Sequence, residues 1–132
     1  MDTEIEQLLT ERAHVAQKNA HAPYSGFQVG AAILTHDNQI YSGCNVENAA
    51  YPQGQCAEAS AIGAMVSHGS KNIKAVLIAS PNNDYCFPCG GCRQKIAEFA
   101  DDEIPVILVT QGAQSKTVTV GELLPYAFRL KP

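Results

Sequence analysis

A chain of 132 residues, 45% hydrophobic and 17% charged, fits one soluble globular domain spanning residues 1–132, since single cores run to about 100–150 residues. No run approaches the ~20 apolar residues of a membrane span. Nine Lys plus Arg against thirteen Asp plus Glu leave a net charge of -4, without the basic surface that tracks polyanions. A membrane span is excluded, no nucleic-acid partner is expected, and a small ligand of little charge fits better.

The start, Met1-Asp2-Thr3-Glu4-Ile5-Glu6, is acidic where a secretory signal is basic and then apolar, so the expected compartment is the reducing cytoplasm. Disulfides are then not the expected use of the five cysteines. Ile5, Leu8, Leu9, Ala13, Ala16 and Ala20 recur at three- and four-residue spacing, which predicts an N-terminal helix ending at or before Pro23. Phe27, Val29, Ala31 and Ile33 alternate along a predicted strand. The turn residues His36-Asp37-Asn38 lead into a second strand, Ile40 to Cys44, giving an antiparallel hairpin.

Cys56 to Gly69 is rich in Ala with Ile62, Met65 and Val66. It predicts a helix with almost no polar face, buried on more than one side. Ile73 to Ala79 reads as a central strand, and Pro88 suits the first position of a helix running to about Phe99. Pro105 to Thr110 and Lys116 to Val120 are two more strands. The residues between them, Gln111 to Ser115, are too few for a parallel crossover, so this last pair is antiparallel. The expected fold is α/β: a mixed five-stranded sheet with helices on both faces, a three-layer sandwich.

The chemistry is carried by cysteines at predicted helix starts. Cys56 opens one helix; Cys89 and Cys92 open the next at i and i+3, on one face. Helix N-termini favour thiolates, and three thiolates on Zn²⁺ leave a fourth position for water, as in catalytic sites. Glu58, two residues after Cys56, is placed to move protons beside that position without being a ligand. A lone Cys-x-x-Cys is as often structural or redox as catalytic; Cys-x-Glu at a second helix start favours catalysis. Cys86 is evenly spaced with Cys89 and Cys92 and could close a four-thiolate structural site with Cys56. Its position before Pro88 favours a thiol outside the ligand set. Cys44 reads as core, and His14, His21, His36 and His68 as surface or helix-end residues.

With these motifs the sequence resembles the cytidine deaminases of the short, homotetrameric type. The matching segments are Tyr24-Ser25-Gly26-Phe27-Gln28-Val29-Gly30-Ala31-Ala32, Gly43-Cys44-Asn45-Val46-Glu47-Asn48-Ala49, Cys56-Ala57-Glu58, Pro88-Cys89-Gly90-Gly91-Cys92-Arg93-Gln94 and Leu123-Leu124-Pro125-Tyr126-Ala127-Phe128. The resemblance implies one zinc per chain held by Cys56, Cys89 and Cys92, with Glu58 as proton shuttle. It also implies a nucleoside site of Phe27, Asn45, Val46, Glu47, Ala57 and Phe128. Phe27 would stack on the pyrimidine, Ala57 recognise the base through its backbone, and Asn45 and Glu47 hold the ribose 3′ hydroxyl. Phe128 would reach a site shared between subunits, with Tyr51 and Asn48 contributing from a neighbour.

The activity so implied is hydrolysis of free cytidine and 2′-deoxycytidine to uridine and 2′-deoxyuridine with release of ammonia, in pyrimidine salvage. Relatives with three cysteine ligands often carry Arg after Cys-Ala-Glu, where this chain has Ala59. Three thiolates on Zn²⁺ leave a negative centre that needs compensation, and Arg93 with the two helix N-termini are the expected sources. Three alternatives remain: a polynucleotide-editing deaminase, a deaminase of modified nucleosides such as aminoacyl-nucleoside antibiotics, and a non-enzymatic zinc module using Cys86.

Overall fold

The computed structural model describes residues 2–130 and Pro132. Helix α1, Thr3–Lys18, begins at Asp2, whose carboxylate caps the Glu4 amide at 2.9 Å, as a short acceptor at a helix start does. Leu9, Ala13 and Ala16 form its buried stripe, whereas Leu8 turns outward and Ala20 falls beyond the helix end. Strands β1 (Gly30–Thr35) and β2 (Ile40–Cys44) make the expected antiparallel hairpin. Helix α2 (Ala57–Ser67), strand β3 (Ile73–Ala79), helix α3 (Gly90–Phe99), strands β4 (Pro105–Val109) and β5 (Ser115–Thr119) and the short helix α4 (Val120–Leu123) complete the chain.

The five strands form one mixed sheet in the order β2-β1-β3-β4-β5. β3 and β4 are parallel, joined through α3, and β4 and β5 are antiparallel. The period of two in each strand divides the core in two. Ala32, Leu34, Ala75, Leu77, Ile107 and Val109 face Leu9 and Ala13 of α1. Ala31, Ile33, Val76, Ile78, Val106 and Leu108 face Ala61, Ile62 and Met65 of α2 and Ile96 and Ala97 of α3. The expected α/β sandwich with helices on both faces is therefore present.

Three local expectations are corrected. β1 begins at Gly30 and not at Phe27, because the Asn45 side chain takes both the Val29 amide and the Phe27 carbonyl. α3 begins at Gly90 with Cys89 as its N-cap, so Pro88 precedes the helix and is buried beneath it. α2 is buried along one face only within the chain: Ala57, Glu58, Ala61, Ile62 and Met65 are inside, while Gly63 and Val66 are exposed.

Chain reversal explains where the helix starts lie. α2 runs antiparallel to β3 through the short link 68–72, and α3 leaves the carboxyl end of β3. Both N-termini therefore gather at that one end, where ligands of open α/β sheets collect. Gly43 of β2 fixes the approach of α2, since a Cβ there would press on the Ala61 amide and lie 2.9 Å from the Ala57 carbonyl oxygen.

Candidate active site

The two N-caps, Cys56 of α2 and Cys89 of α3, make no side-chain capping hydrogen bond, so both thiols are free to turn to a common point. Their Sγ atoms are 3.7 Å apart, and with Cys92 Sγ all three lie within 4.8 Å of one another. Zinc–sulfur bonds of ~2.3 Å at tetrahedral angles put sulfurs about 3.8 Å apart, so the cluster fits a zinc ion. Cys92 is fully buried, and Cys56 and Cys89 are exposed, so the cluster is walled on one side and open on the other.

Hydrogen bonding from Cys92 draws the Cys56 thiol down to about 6 against the opposing effect of burial, with Cys89 and the charge of Lys95 assisting. The same bond, with burial, raises Cys92. One thiol of the group thus ionises readily even before a metal arrives, which suits a cation site. Cys86 is not part of it. Its half-buried side chain packs on the main core, and burial pushes its thiol up to about 11. Cys44 is half-buried at the end of β2.

Glu58, in the first turn of α2, is only 4% exposed. Burial lifts its carboxyl to about 7, its own backbone amide pulls the other way, and the neighbouring Cys56 adds to the rise. A buried carboxyl that exchanges its proton near neutrality is what proton transfer at physiological pH requires. Ala57, 1% exposed at the first helical position, has an amide with no acceptor inside the helix.

The segment after β2 is held at both flanks. Val46 exchanges amide–carbonyl bonds of 2.9 Å with Gln55, just before Cys56. On the other side the Glu47 amide donates to the His21 carbonyl at 2.8 Å. Asn45 Nδ2 donates to the Phe27 carbonyl at 2.8 Å and Oδ1 accepts from the Val29 amide at 2.9 Å. Glu47 accepts from the amides of Tyr24 and Ser25 at 3.0 and 3.1 Å and from the Ser25 hydroxyl. The Ser25 hydroxyl chiefly, with those amides, holds the Glu47 carboxyl below its ordinary range. Ser25 was not foreseeable as a holder of Glu47: a lone Ser in a loop has no pattern of its own.

Glu47, Tyr24, Ser25, Asn48 and Tyr51 line an open cleft of about 330 Å³, with the Tyr24 and Tyr51 rings edge to face at 6.5 Å. Phe27 is 38% and Phe128 68% exposed, so neither ring serves the core. The C-terminal segment is tied to α3 through Gln94 Nε2, which donates to the Phe128 carbonyl at 2.8 Å. Arg93 is engaged by backbone carbonyls: Nε donates to that of Pro88 at 2.7 Å and Nη1 to that of Leu123 at 2.9 Å. His14 bonds Gln17, and His68 caps α2 against Tyr41; none of the four histidines belongs to the cysteine cluster.

Three cysteines from two helix starts with a buried carboxylate between them define a zinc-binding deaminase site on an α/β sheet. Residues 3–108 match the family described as "Cytidine and deoxycytidylate deaminase zinc-binding region", and the chain belongs to the cytidine deaminase family. The cytidine deaminase of Sporosarcina psychrophila is 42% identical over 125 residues, 95% of this chain and 91% of that one. The Blasticidin-S deaminase of Bacillus cereus is 32% identical over 136 residues, covering 96% and 91%. The crystal structure of cytidine deaminase from Burkholderia pseudomallei superposes with a TM-score of 0.89 at 35% identity, covering 97% of this chain and 100% of that one. That of the Mycobacterium tuberculosis enzyme gives 0.81 at 34%, covering 95% and 98%.

Proposed function

We propose that the protein hydrolyses free cytidine and 2′-deoxycytidine to uridine and 2′-deoxyuridine, releasing ammonia, as a cytoplasmic homotetramer serving pyrimidine salvage. The observation that carries this reading is the buried Glu58 beside the Cys56, Cys89 and Cys92 cluster, together with the cytidine deaminases that resemble the chain nearly end to end.

Zinc, when bound, supplies Lewis acidity that makes water a nucleophile near neutral pH. The remaining work falls to the chain's own side chains. Glu58 takes the proton from water, protonates N3 of the pyrimidine as C4 is attacked, and passes a proton to the departing 4-amino group. One water is consumed and one ammonia leaves, so the ring is neither oxidised nor reduced. The Ala57 amide, with no partner in its helix, is the donor offered to the base. Phe27 provides a ring for stacking, and the Val46 backbone borders the same site.

Asn45 and Glu47 serve the ribose in a particular way. Both already hold the 24–29 segment, so the sugar hydroxyl meets acceptors whose geometry is fixed beforehand, which lowers the ordering cost of binding. A free 3′ hydroxyl is absent inside a polymer, and an acidic chain lacks the basic groove that polynucleotides need. The exposed Phe128, Tyr51 and Val66 support a tetramer whose neighbours cover them. Arg93 fastens Pro88 to Leu123 immediately before the first ligand of α3, and its charge adds to compensation at longer range.

The test is loss of cytidine absorbance by the zinc-loaded enzyme, with Glu58→Gln as control. Unchanged absorbance in the parent protein removes the reading. Because one relative is a Blasticidin-S deaminase, aminoacyl-nucleosides belong in the substrate panel, and a preference for them overturns the cytidine assignment. Light scattering after size exclusion reads the tetramer.

A further inference from the structure

Three thiolates around a divalent cation leave a formal charge of about -1, and such a centre is weakened unless positive charge stands near it. Arg93 cannot turn its full fork to the sulfurs while Nε and Nη1 are held by the carbonyls of Pro88 and Leu123. The other basic side chain of α3 is Lys95.

Lys95 lies three residues after Cys92 and four after Gly91, on the helix face that carries the ligands. Helical side chains lean toward the N-terminus, and the Lys95 Nζ does so: it sits 3.8 Å from where a Cβ on Gly91 would be, beside the first turn. Among the described residues the ammonium makes no ion pair there. Among the described residues the ion pair of this fold is Arg129 with Asp102 at 3.1 Å, at the other end of α3.

A cation beside the first turn of a helix is opposed by the helix dipole. The placement becomes favourable only when negative charge collects at the same spot, and the cysteine cluster is where it collects.

We propose that Lys95 is a positioning residue of the zinc centre, an exposed ammonium on the ligand face of α3 that offsets the excess negative charge of the three thiolates. It touches neither substrate nor metal and acts through the charge of the ligands. The inference rests on the cysteine cluster and holds whichever nucleoside is the substrate.

The experiment is zinc transfer from the full-length, zinc-loaded protein to a chromophoric chelator, which needs no turnover. Lys95→Met is expected to weaken zinc retention about tenfold, the low end for groups that support metal ligands. Lys95→Arg is expected to restore it to within about twofold, and Lys71→Met, far from the cluster, to leave it unchanged. Raising ionic strength should narrow the gap between parent and Lys95→Met, because an exposed charge is screened. Equal retention by Lys95→Met and the parent overturns the proposal, as does failure of Lys95→Arg to rescue, which would assign the effect to packing. Should Lys95→Met not fold, Lys95→Gln reads the same charge loss with the same outcomes.

Discussion

Asn45 and Phe27 are bound together across the mouth of the site: the amide nitrogen of one donates to the carbonyl of the other at 2.8 Å, while the Asn45 oxygen accepts from Val29. The side chain thus stands in for the strand ladder over residues that would otherwise continue β1. Its replacement by Ala leaves one acceptor and one donor of the backbone without partners. Asn45→Ala is expected to lower stability by about 2 kcal/mol and to raise KM for cytidine more than tenfold with zinc content unchanged. Denaturation, steady-state kinetics and metal analysis on one preparation check all three; an unaltered KM refutes the positioning role.

Glu58 is buried beside the thiols, and Gln occupies its volume without being able to shuttle a proton. Glu58→Gln should reduce kcat by about 10²–10⁴ while zinc binding is retained. Single-turnover measurement at saturating cytidine decides it, and residual activity within threefold of the parent excludes Glu58 as the shuttle.

Glu47 titrates below the ordinary carboxylate value because Ser25 donates to it. With a depressed folded value, its contribution is present above the unfolded pKa of about 4.5 and is lost as pH falls through the lower folded value. Ser25→Ala should move the Glu47 titration upward, toward 4.5. Carbon-detected NMR of the side-chain carboxylate reads the shift, and an unmoved titration contradicts the hydrogen bond's role.

Cys86 is packed on the core with a thiol raised to about 11, and it stands outside the cluster of three. Cys86→Ser should keep one zinc per chain, whereas Ser at position 56, 89 or 92 should lose it or bind far more weakly. Cobalt substitution adds a spectroscopic arm: a thiolate charge-transfer band that weakens in Cys86→Ser would restore the four-cysteine structural site.

Gly43 admits α2 to within contact of β2, with no room for a Cβ against the Ala61 amide and the Ala57 carbonyl. Gly43→Ala should cost about 1–3 kcal/mol and displace the turn that bears Cys56 and Glu58. A lowered Tm accompanied by faster zinc release is the expected pair. A lowered Tm with normal zinc release would show that the turn relaxes independently.

Much of the fold is legible in the sequence alone. Buried strands such as Ile73–Ala79 announce themselves as apolar runs, and the five residues between the last two strands rule out a crossover. The cysteine cluster is legible because Cys89 and Cys92, three apart at a helix start, share a face. What stayed hidden depends on where side chains end. Asn45 and Glu47 read as sugar-binding groups, yet each is also engaged by residues about twenty positions upstream. Arg93, adjacent to a ligand, reaches Leu123 thirty positions away. Lys95 sits in no motif, and only the lean of its side chain brings it over the first turn of α3. The exposed strip of α2 at Gly63 and Val66 is not legible in the sequence, since composition gives hydrophobicity without saying whether the same chain supplies the cover.

Cys56 and Cys89 are 33 positions apart along the chain and 3.7 Å apart in space. A metal bridging them therefore closes a loop containing the whole of α2 and β3, acting on the unfolded ensemble as a covalent cross-link would. By analogy with disulfides of that loop length, the lost chain entropy alone corresponds to about 4 kcal/mol. The metal that makes the chemistry possible is on this account also a fastener for the sheet's central strand, so stripping it should loosen the scaffold as well as silence the site.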